Sequence, residues 1–176
     1  PNILKSQGII PIYKKGNKAC PANYRPVSLT SHLIKLFEKI LKVKLVEYIE
    51  ENNILTDQQH GFRPNRNCLT QLLVHIDNIL KISENDNNAD VVYLDFAKAF
   101  DKVDHKILLF KIKKLGIQGK IYSWIESFLT NRQQHVIVDG EISETAEVKS
   151  GVPQGTVLGP ILFLLFINDI TEAIKF

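Results

Sequence analysis

Methionine is absent from the 176 residues, cysteine occurs twice, tryptophan once, and no apolar run reaches membrane length. Each shortage excludes something. Cys20 and Cys68 lie far apart with no C-x-x-C and no histidine at ligand spacing, which removes a disulfide framework and a zinc site and makes a reducing compartment the default. The longest apolar run, residues 157–167, contains Gly159 and Pro160 and ends in Asn168-Asp169. It falls well short of the roughly 20 residues a membrane span needs, so no membrane partner is expected. The five histidines (His32, His60, His75, His105, His135) form no local pair and read as surface or hydrogen-bonded residues. There is no Gly-x-Ser-x-Gly elbow, Walker loop or Rossmann fingerprint, and the hydrolase and P-loop classes drop out. A chain that starts at Pro1 and lacks methionine is expected to be an internal piece of a longer reading frame.

What is present is an ordinary globular composition, 44% hydrophobic and 23% charged, enough for one domain with a real core or two lobes sharing one. The net charge of +3 is unevenly spread. Residues 1–45 carry nine basic side chains against Glu38 alone, residues 46–92 are net acidic, and the remainder balances. A cationic first quarter fits a polyanion such as nucleic acid or a nucleoside triphosphate. Lys35, Lys39 and Lys42 are better explained as the wet face of a helix.

Residues 7–13 predict a strand, with Pro11 suiting an edge or a bulge. A lysine-rich loop (Lys14, Lys15, Lys18) leads to a second strand over 24–29, where the pre-proline Arg25 favours extended geometry. From Thr30 or Ser31 as N-cap, a helix is predicted to about Glu51, its apolar stripe being Ile34, Phe37, Leu41, Leu45 and Tyr48. Residues 56–59 resemble a capping box over a short helical turn. A loop bearing Arg63 and Arg66 follows, then an amphipathic helix on Leu69, Leu72, Leu73, Ile76 and Leu80. An Asn/Asp-rich turn at 84–88 closes it. Further on, Asp104 is a predicted cap for a helix over 105–115 that Gly116 stops. A helix over 120–129 should turn Ile121, Trp124, Ile125 and Phe128 inward. Asp139-Gly140 predicts a hairpin between 133–138 and 141–149. Residues 161–167, apolar on all sides, predict a fully buried helix.

The stretch that organises the rest is 91–105. Val91, Val92, Tyr93 and Leu94 predict a strand buried on both faces, with Asp95 where the apolar run ends. An ionised carboxylate there needs partial solvation, a capping role or a bound cation.

Three separated blocks together resemble the reverse transcriptases of non-LTR (LINE-like, jockey-type) retrotransposons, with group II intron enzymes as more distant relatives. They are residues 10–16 with 23–29; residues 59–64; and 94–101 paired with 150–169. The resemblance implies a mixed α/β (α+β) right-hand polymerase, with fingers in 1–88 and 116–152 and palm in 89–115 and 153–176. It implies an RNA-directed DNA polymerase that copies an RNA template onto a DNA primer or target with dNTPs and Mg²⁺, Mn²⁺ being the alternative ion. Such phosphoryl transfer uses two metal ions roughly 3.5–4 Å apart, held by carboxylates. Asp95 matches the first catalytic, metal-binding aspartate, with the Phe96 carbonyl as a further ligand. Phe100 matches the aromatic residue that packs under the incoming sugar, a core phenylalanine being the other reading. Lys14, or Lys15 in its place, and Arg25 match residues that grip the triphosphate. Gln154 and Gly155 match the motif that supports the nascent base pair. Arg63 and Arg66 fall where template contacts are expected, a structural salt bridge being the alternative for each. Asp101 is expected to be scaffold, not a metal ligand.

The family's second catalytic block, aromatic-x-Asp-Asp, is not found through Phe176, and Asp169 has no adjacent aspartate. The expectation is therefore fingers plus an incomplete palm, inactive when isolated, drawn from an intracellular element ribonucleoprotein of the nucleus or cytoplasm. Two other classes stay open: a decayed or domesticated nucleic-acid-binding domain without catalysis, and a bacterial intron-type enzyme that also assists splicing.

Overall fold

A computed structural model describes residues 5–84 and 88–173. Residues 85–87 of the predicted Asn/Asp-rich turn lie outside that range. The chain forms a small mixed sheet and a set of helices around one apolar core, an α/β arrangement.

Strand β1 (Ser6–Tyr13) pairs antiparallel with β2 (Tyr24–Leu29) and parallel with β3 (Arg132–Val138). β1 is thus central over residues 6–9 and an edge beyond them, because its ladder with β3 ends at the Ile9–Val136 pair. Pro11 lies in the edge half, opposite Pro26, where its missing N–H costs no ladder bond. The lysine-rich loop is tied down by its flanking tyrosines: Tyr13 Oη donates to the Gly16 carbonyl and Tyr24 Oη to that of Lys18. The two rings meet edge to face at 5.6 Å.

The Asp139-Gly140 hairpin forms as predicted. Both residues have positive φ (50° and 87°), as a two-residue turn of the primed type requires. The return strand is not continuous: β4 (Glu141–Ile142) and β5 (Ala146–Val148) pair with β3 in registers that differ by one residue. One extra residue is absorbed between them, a bulge in which Ser143 Oγ takes the Val136 N–H.

Helix α1 (His32–Glu51) begins at Ser31, whose hydroxyl accepts from Ile34 N. Its inward stripe keeps Ile34, Leu41, Leu45 and Tyr48 of the predicted one and departs from it at Phe37. Phe37 is exposed and leans on Trp124 (5.4 Å between rings), while Glu38, Leu45 and Ile49 are buried. The stripe runs 34, 38, 41, 45, 49, and a carboxylate occupies a core position.

That carboxylate has partners. Glu38 Oε2 accepts from the backbone N–H groups of Val157 (2.8 Å) and Leu158 (2.9 Å) at the start of α5 (Gly159–Ile167). Two orphan donors of a helix entry are thereby satisfied across 119 and 120 positions of sequence. Glu38 Oε1 has no partner among the described residues.

Helices α3 (His105–Lys114), α4 (Gly119–Leu129) and α5 pack with the end of α1, and Leu108, Ile112, Ile125, Leu129, Leu162 and Leu165 form the centre of the core. Asp104 Oδ1 caps α3 through Ile107 N, as predicted. α5 is largely buried, not wholly: Phe163, Phe166 and Ile167 are half-buried and line a cavity. A short helix, α6 (Ile170–Ala173), follows.

Three expectations are corrected. Residues 91–94 are not a strand and are not buried; Val92, Tyr93 and Leu94 are 73–79% exposed. No strand lies beside them among the described residues, and a segment without a ladder partner cannot be a strand whatever its propensity. Residues 56–59 form a single hydrogen-bonded turn (Gln59 N to Thr56 O, 3.1 Å), not a helical turn. Helix α2 (Cys68–Glu84) does form, but none of its residues is buried and its leucine stripe faces outward.

Two outcomes follow from this packing. Leu162→Ala leaves a cavity where α5 meets α3, and is expected to lower unfolding stability by about 2–5 kcal/mol in urea titration. Burial pushes the Glu38 carboxyl above its ordinary value of 4.5, opposed by the Leu158 and Val157 N–H groups and by Lys35. The folded state then holds this proton more tightly than the unfolded chain does. Its contribution is fully present below pH 4.5 and is lost as pH rises through the raised folded value. Glu38→Gln releases no proton, so its stability relative to the parent should climb across that window and level off above it. A difference independent of pH would show that the carboxyl is not raised.

Candidate active site

The loop 150–158 and the segment 95–104 run against each other, so the two halves of the third sequence block meet in space. Val152 N donates to the Phe100 carbonyl (2.9 Å) and Gly151 N to that of Val103 (2.8 Å). Ser150 Oγ donates to the Asp101 carbonyl, and Gln154 Nε2 to Asp101 Oδ1 (3.1 Å). The buried His105 ring pairs with the Gly151 carbonyl through Nε2 (2.8 Å). Asp101 thus holds the loop by both backbone and side chain, a scaffold contact.

On its other side the loop is stitched to the sheet. Ser28 N, at the end of β2, donates to the Gln154 carbonyl (2.9 Å). Gly155 has φ +87° and lies against β2, where a Cβ would sit 3.1 Å from Val27 Cγ1. Only glycine takes that turn at that distance without strain. Thr156 Oγ1 donates to the Pro153 carbonyl and accepts from Gly159 N, and Glu38 takes the next two N–H groups. Gln154 is therefore fixed by β2, by Asp101 and by the α5 entry.

Segment 95–102 separates two cavities. One, of about 450 Å³, is lined by Asp95, Phe96, Lys102, Phe163 and Asp169. The other, of about 440 Å³, lies between the loop and the sheet face and is lined by Gln7, Ser28, Asp101, Arg132 and Gln154. The Phe100 ring stands in an aromatic stack, parallel to Phe163 at 4.7 Å and edge-on to Phe62 at 6.3 Å.

Asp95 is exposed. Its carboxylate and the Phe96 carbonyl are hard oxygen donors of the class Mg²⁺ takes. They are too few: among the described residues no group of three or more His, Cys, Asp or Glu could hold a metal ion. Asp169 lines the same cavity but is engaged by Lys111 Nζ, whose hydrogen bond and charge hold its carboxyl below the ordinary range. The donor set does not amount to a metal centre, and no step through a metal is derived from it.

The remaining predicted residues are spread out. Lys14, Lys15 and Arg25 are exposed at the far end of the β1–β2 hairpin, with Arg25 opposite Ile12. Arg63 is spent within the fold. Its Nε and Nη2 make a two-pronged bond to Glu50, and its Nη1 donates to the Thr56 carbonyl. Its side chain is only 8% exposed. Of its two readings, the geometry supports the salt bridge. Arg66 pairs with Asp57 through both carbonyl and carboxylate and stays partly exposed. Three residues have roles that the sequence does not assign: Glu38, Arg132 and Asn168, which bridges Thr56 N and the Ile54 carbonyl. A lone glutamate inside an otherwise cationic stretch was the one signal for Glu38; nothing in the sequence marks the other two.

With this geometry in view, comparison with known proteins is specific. The family described as reverse transcriptase (RNA-dependent DNA polymerase) matches residues 12–176. The chain is 36% identical over 170 residues to the RNA-directed DNA polymerase from mobile element jockey of Drosophila melanogaster, covering 96% of this chain and 18% of that protein. It is 35% identical over 171 residues to the probable RNA-directed DNA polymerase from transposon BS of the same organism, covering 97% and 19%. The group II intron-encoded protein LtrA of Lactococcus lactis subsp. cremoris is more distant, 28% identical over 167 residues, covering 92% of this chain and 24% of that protein. The chain thus spans about a fifth of the length of the relatives it matches. A family pattern over nearly every described residue, carried by a loop and a segment that the fold brings into contact, places this chain in the reverse transcriptase (RNA-dependent DNA polymerase) family.

Proposed function

We propose that this chain is the part of a non-LTR retrotransposon reverse transcriptase that positions the template base pair and the incoming dNTP, and that it supplies one carboxylate of the metal site. The observation that carries the reading is the Gln154 Nε2 to Asp101 Oδ1 hydrogen bond. It joins the Asp95 segment to the Gln154-Gly155 loop, so that the reacting end and the base-pair support are built as one unit. In this reading residues 1–88 and 116–152 are fingers, and 89–115 and 153–176 are palm.

Gln154 and Gly155 would offer an amide and a bare backbone to the nascent pair. Phe100, already immobilised between Phe62 and Phe163, would set the floor under the sugar. Lys14, or Lys15, with Arg25 at the exposed end of a two-stranded hairpin would grip the triphosphate, where an ammonium and a guanidinium suit phosphate oxygens. Arg66 would contact the template backbone; Arg63, spent on Glu50 and Thr56, would act only through the loop it holds. Asp95 and the Phe96 carbonyl would be joined by carboxylates from beyond the described residues. The complete site would then hold Mg²⁺ or Mn²⁺, which supplies a lowered pKa at the primer 3′-hydroxyl and charge neutralisation at the leaving pyrophosphate. Exposure of residues 91–94 and of the α2 stripe fits a fingers and palm unit that needs a further surface to cover it. The RNA template, the DNA primer or target and an intracellular element ribonucleoprotein follow from the same reading.

The test is primer extension on a primed RNA template. The 176-residue chain alone is expected to incorporate no dNTP, because its metal donors are too few. The full-length parent protein should extend the primer, and Asp95→Asn in it should cut incorporation by more than about 100-fold while template binding is retained, since even residues that only support metal ligands cost 10–100-fold. Equal extension by Asp95→Asn and parent would overturn the role given to Asp95. A full-length protein that binds template but extends nothing would favour a decayed or domesticated binding domain.

A further inference from the structure

Arg132, the first residue of β3, is 4% exposed, and its Nε and Nη1 have no hydrogen-bond partner among the described residues. No carboxylate pairs with it there. Burial alone lowers its pKa to about 10, a direction that marks a cation held out of water without compensation. A buried guanidinium in this condition is costly unless an anion completes it.

The place it faces is built for one. A pocket of about 140 Å³ is lined by Lys5, Gln7, Ser127 and Arg132, with Trp124 and Phe128 as its aromatic wall. Two cations, an amide and a hydroxyl converge there, and no acidic residue lines it. The Trp124 and Phe128 rings are stacked at 5.1 Å and 15°. Gln7 and Arg132 also line the larger cavity that contains Gln154, so the two cavities adjoin at these residues. Lys5 is held loosely, through a 3.4 Å contact from its Nζ to the Thr130 carbonyl.

We propose that Arg132 and Lys5 form a phosphate site that takes one phosphodiester of a single-stranded RNA template behind the Gln154 loop, with a base against the Trp124–Phe128 wall. This rests on the polymerase reading given above. Cations interleaved with aromatic rings are the combination that single-stranded nucleic acid uses, the phosphate taking the charge and the base the ring face. The guanidinium keeps two unpartnered nitrogens, Nε and Nη1, on different edges, and each can donate a charge-assisted hydrogen bond to a phosphate oxygen. The site is separate from the triphosphate grip: Arg25 pairs with Ile12, seven residues along β1 from Lys5, or roughly 23 Å at strand rise. One triphosphate held at Lys14 and Arg25 does not reach it.

The experiment uses the 176-residue chain, with Arg132→Met and Lys5→Ala, a 12-nucleotide single-stranded RNA and inorganic phosphate. Kd for RNA is measured across a salt series, and Tm with and without each ligand. The parent should bind the RNA, and Arg132→Met should bind at least tenfold more weakly, with a salt slope shallower by about 0.7 for the lost phosphate. Its ligand-free Tm should be unchanged or higher, because an uncompensated charge has left the interior. Lys5→Ala, at a less buried position, should weaken RNA binding several-fold and guards against a folding defect in the first variant. RNA binding by both variants equal to the parent's would overturn the site and leave the polymerase reading intact. A phosphate-induced rise in Tm that RNA does not share would assign the pocket to a free anion and overturn the template role. A ligand-free Tm lowered by Arg132→Met, with RNA binding unchanged, would make Arg132 structural. A parent chain that binds no RNA would overturn this inference and the reading beneath it together.

Discussion

Glu38 is the side chain through which the helical layer and the site loop are made one body. Its carboxylate sits in the core at full burial and collects the Val157 and Leu158 N–H groups as the chain turns into α5. Burying a carboxylate is unfavourable, and two backbone donors at a helix entry are among the few partners that offset the cost. The consequence is directional. The loop cannot slide along α1 without leaving both the acid and the N–H groups unpaired inside the protein, a penalty larger than any single surface contact could restore.

From that anchor the rest of the site is determined in sequence. Thr156 closes the turn, Gly155 permits contact with β2, and Gln154 is left with its carbonyl on Ser28 and its amide on Asp101. Asp101 in turn belongs to the segment that starts at Asp95. The proposed polymerase role requires template, primer end and nucleotide to be held in one frame, and much of catalysis comes from such positioning. Here the frame is a continuous chain of hydrogen bonds from α1 through α5 and the loop to β2 and the Asp95 segment. Lys14, Lys15 and Arg25 at the hairpin end and Arg132 in its pocket sit outside it, and no carboxylate pairs with them among the described residues.

The family and most elements could be read from the residues, and the reasons are local. Ser31 and Asp104 cap their helices because a short oxygen-bearing side chain before an apolar period meets the third N–H with little help from elsewhere. Asp139-Gly140 turns the hairpin because both residues tolerate positive φ. The blocks around Asp95 and Gln154 are recognisable because they lie within the stretch that matches the family. Residues 91–94 show the limit of such reading. Their composition favours a strand, yet strand formation needs a neighbour, and among the described residues none is present.

What periodicity cannot register is which polar group will find its partner across a hundred residues. Glu38 and Phe37 are adjacent on α1, and hydrophobicity alone sends the phenylalanine inward; the two N–H groups of the α5 entry reverse that choice. Arg63 and Arg66 look alike as exposed loop guanidiniums until folding puts Glu50 and the Thr56 carbonyl around the first. Arg132 looks like one more basic residue opening a strand until the sheet, α1 and α4 close around it with no counter-ion among the described residues. Identity of family and the run of elements are thus local properties of the chain. The buried anchor, the spent arginine and the unpaired one are decided only by tertiary packing, because burial and hydrogen-bond supply are properties of the place a side chain reaches, not of the residue that reaches it.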